Sequence, residues 1–183
     1  LKGGGGLRWS IKVHRSITHL RKLGSEALKT WERFRELFKP MDHLVDFYLF
    51  QLPPNFSATN SNFNRIREFA SFTGLRWRMA VEFRHESWFS AESAELCREI
   101  EATFVSVDAP IARWIASSNG IVYLRVHGRD SWYAYDYSED ELRDLARRTA
   151  KLTPEKIYVF FNNNHWMLGN ARVMRTLLHE TLR

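Results

Sequence analysis

Short strand-like runs and helical patterns alternate along this chain, and that alternation constrains the fold more than any other feature. Six runs rich in Val, Ile, Phe, Tyr and Trp, mostly beside Gly, Pro, Asn or Asp, are predicted as strands: 8–14, 47–52, 77–84, 103–108, 121–127 and 156–162. Helices are predicted over 25–38, 61–72, 91–101, 139–152 and 168–182. One helix start is well marked: in Ser138-Glu139-Asp140-Glu141 the hydroxyl and the carboxylate satisfy orphan N–H groups reciprocally. Ser90 is a second N-cap, and 111–120 reads as a helical turn or a loop. Alternation of this kind argues a parallel α/β sheet rather than a sandwich or a bundle. No internal linker or repeat interrupts 1–183, so one domain is expected.

Strand parity narrows the choice. Side chains alternate across a strand, so each run splits into two faces. Trp9, Ile11 and Val13 oppose Ser10, Lys12 and His14; Met79, Val81 and Phe83 oppose Ala80, Glu82 and Arg84. Val105 and Val107 oppose Phe104, Ser106 and Asp108; Val122, Leu124 and Val126 oppose Tyr123, Arg125 and His127; Ile157, Val159 and Phe161 oppose Tyr158, Phe160 and Asn162. One face is apolar, and the other turns polar toward the C-terminal end of nearly every strand. A doubly wound sheet, covered on both sides, would read as continuous apolar runs. A TIM-type (β/α) barrel leaves the inward positions at its C-terminal mouth free to carry a site. The barrel is therefore expected, with about six of its eight β/α units present. The opening Leu1-Lys2 without Met, followed by Gly3 to Gly6, reads as the flexible start of a fragment, with two further units expected before it.

Composition bounds the function. Apolar residues at 44% are ample for a core and exclude disorder. A single cysteine, Cys97, excludes an internal disulfide and a cysteine-based zinc site, and makes a reducing, cytoplasmic location the expectation. No apolar run is long enough to span a membrane. The formal charge is +6, interspersed rather than in blocks. No Gly-rich dinucleotide or nucleotide-phosphate loop occurs.

Four motifs stand in order along the chain: Phe50-Gln51-Leu52-Pro53-Pro54-Asn55, Glu82-Phe83-Arg84-His85-Glu86-Ser87-Trp88-Phe89, Tyr123-Leu124-Arg125-Val126-His127-Gly128-Arg129 and Phe160-Phe161-Asn162-Asn163-Asn164. With Ile17-Thr18-His19 and Tyr135-x-Tyr137-Ser138, this ordered set closely resembles the YecE-like family, a bacterial and archaeal domain of unknown function. The resemblance implies a TIM-barrel-like fold, similar to metal-dependent apurinic-site endonucleases and sugar-phosphate isomerases; it implies no established activity. Two departures stand out. Family members begin with two further strand–helix units, and here the stretch after Asn163 is compressed, Asn170-Ala171 following directly after Gly169, which leaves the last loop's conformation open.

The inward polar set defines a candidate site for an anionic, phosphate-bearing or sugar-like substrate. Arg84, Arg125 and Lys12 are expected to bind the anion, the guanidiniums as multi-donor clamps. Glu82 and His127 would handle protons, and Asp108 completes the catalytic set by orienting them. Gln51, Asn162 and Asn163 would orient substrate, and Trp88 would stack on it. The plainer reading is that the arginines merely pair with Glu82 and Asp108, and that Glu82 is a structural counter-ion. For a divalent metal, His14, His19, His85, His127 and His165 with Glu82 and Asp108 are chemically suitable donors. No H-x-H or H-x-x-x-H pair presents them together, so no metal ligand is assigned. The rival function is a non-catalytic nucleic-acid-binding barrel. It would use basic residues outside the mouth, Arg15, Arg21, Lys22, Arg65, Arg67, Arg76 and Arg78, with the loop aromatics Trp132, Tyr133 and Tyr135.

Overall fold

The computed structural model describes residues 6–182. The lead-in from Leu1 to Gly5, and so most of the glycine run, lies outside the described residues.

Six parallel strands form one sheet: β1 (Trp9–Lys12), β2 (Val45–Gln51), β3 (Met79–Glu82), β4 (Thr103–Ala109), β6 (Ile121–Val126) and β7 (Lys156–Phe161). The strand between, β5 (Ala112–Trp114), runs antiparallel beside β4. Five helices connect or follow these strands: α1 (Ser25–Phe38), α2 (Asn60–Thr73), α3 (Ala91–Glu99), α4 (Glu139–Ala150) and α5 (Met167–Thr181). The expected parallel α/β alternation is therefore present, with two local differences. The strand predicted from 77 begins at Met79, because Arg76–Arg78 turns as a short 3-10 helix. Segment 111–120 holds β5 rather than a helical turn. Pro110-Ile111 is a turn without Gly or Asn, and three residues are too few to show a period of two.

Helix ends follow the capping chemistry. Ser138 accepts from Glu141 N–H while the Glu141 carboxylate accepts from Ser138 N–H at 2.9 Å, the full reciprocal box. Ser90 accepts from Ser93 N–H at the start of α3.

The sheet is curled. Tyr158 of β7 reaches across the interior, its ring 4.8 Å from Phe47 of β2 and its hydroxyl 3.3 Å from Asp46. Ser10 of β1 and Tyr123 of β6 meet through their hydroxyls at 2.7 Å. Strands at opposite ends of the strand order thus touch through one concave face, where Phe47, Leu49, Ala80, Val105 and Tyr123 form an inner core. Two outer cores lie under the helices. Trp31, Tyr48, Phe50, Ile66, Phe69, Phe83 and Phe104 sit beneath α1 to α3; Val122, Leu124, Leu142, Leu145, Met174 and Leu177 sit beneath α4 and α5. Burial of these side chains, worth roughly 1.5–3 kcal/mol each, sets which strand face points inward. The architecture is a half-barrel with its helices outside.

Candidate functional site

Register brings inward residues near the C-terminal ends of neighbouring strands close to level. Gln51 of β2 is aligned with Glu82 of β3, Lys12 of β1 with Leu49 of β2, and Arg125 of β6 with Phe160 of β7. The cluster at this C-terminal end is built around Glu82, which is fully buried.

Arg84 lies on the same face two residues on. Its Nε donates to Glu82 Oε1 at 2.7 Å and its Nη2 to Gln51 Oε1 at 3.4 Å. Arg125 brings Nη1 to 3.3 Å from Glu82 Oε2. His127, also fully buried, places Nε2 at 3.1 Å from Glu82 Oε1 and 3.2 Å from Arg84 Nη2. Trp132 covers the group: the Arg84 guanidinium carbon sits 4.3 Å from its ring centroid, and the His127 ring 5.4 Å away.

Electrostatics decide the protonation state. Burial alone would push the Glu82 carboxyl up; the His127 hydrogen bond and the charges of Arg125 and Arg84 overcome it and hold it at about 2. Burial lowers His127, with Arg84 and Arg125 adding to the effect and Glu82 opposing it. At neutral pH the pair is carboxylate and neutral imidazole. Nε2 stands between two partners, the ionised Glu82 oxygen at 3.1 Å, to which it donates in one tautomer, and the Arg84 Nη2 at 3.2 Å, from which it accepts in the other. Nδ1 is buried with no protein partner among the described residues, and it carries a free lone pair in the tautomer that donates to Glu82. A carboxylate-oriented imidazole with a free nitrogen is a general-base arrangement.

The loop after β6 is held in place by a second network. Asp108 accepts from Arg129 Nε at 3.1 Å and Nη2 at 3.2 Å, and from the Tyr137 hydroxyl at 2.7 Å. Tyr137 accepts from Gly128 N–H at 2.9 Å. Gly128 has φ +105°, and a Cβ there would stand 2.5 Å from Ser131 O and 2.8 Å from Tyr135 Cβ. Only glycine fits this bend, which carries the chain into the loop that sets Trp132 over Arg84.

Lys12, Gln51, Glu82, Arg84, Arg125 and His127 therefore converge as their parity predicts. Asn162 and Lys12 line a cavity of about 290 Å³ with Arg125, Leu49, Tyr123 and Phe160. A larger one, about 610 Å³, lies among Trp77, Glu101, Asn119 and Glu155, at or before the strands' N-terminal ends and away from this chemistry.

Three residues are corrected. Asp108 points outward: Val105 and Val107, not Asp108, are aligned with the inward Tyr123 and Arg125, so Asp108 faces Arg129 and Tyr137 in the outer layer. Trp88 is fully buried, its ring 4.3 Å from Phe83 and its Nε1 donating to Phe56 O at 2.6 Å, so it packs the core and meets no substrate. Asn163 is buried and donates to Tyr135 O and to Asn170 Oδ1 at 2.6 Å, tying the last two loops together. His14 is exposed and bonds the Ser16 hydroxyl at 2.8 Å. Trp132, noted in sequence only as a loop aromatic, and the Arg129–Tyr137 support are what site reasoning left out. Gly128 beside Arg129 was the available signal, since a glycine between a strand end and a charged residue marks a forced bend.

The family described as "Protein of unknown function DUF72" matches residues 3–183. The chain belongs to the DUF72 family. This is the family its motifs resemble under the name YecE-like. A solved DUF72 family protein from Thermotoga maritima is 28% identical, with TM-score 0.79, covering 94% of this chain and 74% of that one. A DUF72 family protein from Enterococcus faecalis is 21% identical, with TM-score 0.80 and the same coverage, 94% and 74%. That second likeness shows the fold alone. No match is found among curated proteins.

The metal that the endonuclease likeness raises does not fit here. Glu82 is flanked by two guanidiniums that repel a cation, and among the described residues no three His, Cys, Asp or Glu side chains converge. Among the described residues no helix is long and apolar enough to cross a membrane.

Proposed function

We propose that this DUF72 chain is part of a TIM-type barrel enzyme whose C-terminal mouth binds an anionic, phosphate-bearing or sugar-like substrate and moves a proton on it. One observation carries the reading: Arg84 and Arg125 pair with a single carboxylate, Glu82, Lys12 lies within its field, and Glu82 contacts His127, whose Nδ1 has no protein partner among the described residues. Buried charge in excess of its partners is costly unless something completes it, and an anion beside Arg125 and Lys12 does so. Arg125 Nε, buried and without a partner, is a further unused donor. Arg84 and Arg125 bind, Glu82 orients, His127 accepts the proton, and Gln51 and Asn162 position the ligand.

The nucleic-acid reading draws less support. Arg67 pairs with Glu99 at 2.9 Å, Arg78 with Asp42 at 2.7 Å, and Arg76 with Glu101, so the cations around α2 and β3 are in part internally neutralised.

The test is a titration of tryptophan fluorescence with inorganic phosphate, glycerol 3-phosphate, and single-stranded and abasic DNA, on the wild type and Arg125→Gln. The expected result is saturable binding of the small phosphates, weakened about tenfold or more in Arg125→Gln, as loss of a charge-assisted contact dictates. Affinity untouched by Arg125→Gln, or confined to DNA, overturns the proposal.

A further inference from the structure

Lys12 ends β1 on the inward face, and it differs from the other cations of the mouth. Arg84 and Arg125 both engage Glu82; Lys12 forms no ion pair among the described residues. It is open to solvent, and it lines the 290 Å³ cavity with Arg125, Asn162 and the aromatic pair Tyr123–Phe160, whose rings stack 4.7 Å apart. The charged groups around it are Glu82 and Arg84 at the end of β3, Arg125 on β6, and the Arg15–His19 segment after β1. Partial burial lowers its pKa; Glu82 opposes this, and Arg125 and Arg84 reinforce it. An amine beside other cations gives up its proton more readily and becomes a nucleophile toward carbonyl carbon.

We infer that Lys12 is the nucleophile of this mouth, its Nζ adding to the carbonyl of an anionic aldehyde or ketone whose phosphate or carboxylate lies against Arg125. This rests on the anion-binding reading above and names its substrate class. The neutral amine's lone pair forms the N–C bond, and the C=O π pair moves to oxygen. That oxygen takes a proton as the nitrogen releases one, giving a carbinolamine. A further proton from solvent lets the hydroxyl leave as water, and the nitrogen lone pair closes a protonated C=N. Amine, carbonyl and one proton thus become iminium and water. The iminium makes the adjacent C–H acidic.

The experiment is reductive trapping. The full chain is incubated with glyceraldehyde 3-phosphate and sodium cyanoborohydride, and the modified residue is located by peptide mass spectrometry. Glyceraldehyde serves as the uncharged carbonyl, and glycerol 3-phosphate as the anion without a carbonyl. One adduct per chain is expected, at Lys12 and not at the other lysines. It should fall about tenfold or more with glyceraldehyde or with competing glycerol 3-phosphate, and vanish in Lys12→Arg. Lys12→Arg keeps the charge, and an unchanged circular dichroism spectrum and urea midpoint show that it remains folded. If glycerol 3-phosphate binds the wild type but labelling is spread over surface lysines, the lysine inference alone fails. If glycerol 3-phosphate does not bind the wild type either, the anion-binding reading fails with it.

Discussion

Glu82 Oε1 and His127 Nε2 stand 3.1 Å apart at 0% exposure, an ionised carboxylate against a neutral imidazole. Neither side chain reaches water, so the pair's protonation is set by Arg84, Arg125 and burial rather than by solvent. Such a pair is costly to break and sensitive to acid.

Replacing Glu82 by Gln leaves two guanidiniums facing each other without their counter-charge. A loss of about 3–5 kcal/mol is expected, read as a drop in the urea midpoint at pH 7. A midpoint shift worth less than about 1 kcal/mol would mean that solvent already screens the cluster.

Acid should act in two stages. His127 lies below its ordinary value of 6.5 in the fold, so the unfolded chain takes up the proton first. Stability is therefore full above pH 6.5 and declines as pH falls through the folded value. Glu82 lies at about 2 against an ordinary 4.5, so its contribution is present above 4.5 and is lost as pH falls toward 2. Melting temperature against pH, compared with His127→Gln, separates the stages. The variant should lack the upper one, and an identical profile would contradict the neutral-imidazole assignment.

Gly128→Ala puts a methyl 2.5 Å from Ser131 O at φ +105°. The bend cannot hold it, and a loss of about 2 kcal/mol or more is expected. The fluorescence of Trp132 should change with it, because the loop that sets this ring over Arg84 starts there. Calorimetry and emission spectra check both, and unchanged melting would show that the loop has room to shift.

Tyr137→Phe removes the donor to Asp108 and the acceptor of Gly128 N–H together. About 1–3 kcal/mol should be lost, as befits stranded buried groups. Amide exchange at Gly128 should rise while exchange in α2 stays unchanged. Protection persisting at Gly128 would assign the bend to other contacts.

The motifs from Phe50 to Asn164 and the period of two in the strands were legible because both are local. Apolar alternation named the inward faces of β1, β3, β6 and β7, and with them Lys12, Glu82, Arg84, Arg125 and Asn162. In β4 the same logic failed. Ser106 and Asp108 looked inward because they are polar, yet Val105 and Val107 hold that face and Asp108 meets Arg129 and Tyr137, 21 and 29 residues later. Polarity tells which face is not buried in apolar surroundings; it cannot tell a solvated mouth from a satisfied outer network.

By itself, then, the sequence determined the alternation of elements, the caps at Ser90 and Ser138, and the chemistry available at each strand end. Tertiary structure alone decided which groups touch. Trp88 went inside because Phe83 and Phe56 offered rings to stack on, and Trp132 went over Arg84 because Gly128 bends the chain there. The reason is physical: periodicity is fixed within a few residues, whereas desolvation and hydrogen-bond satisfaction depend on partners far along the chain.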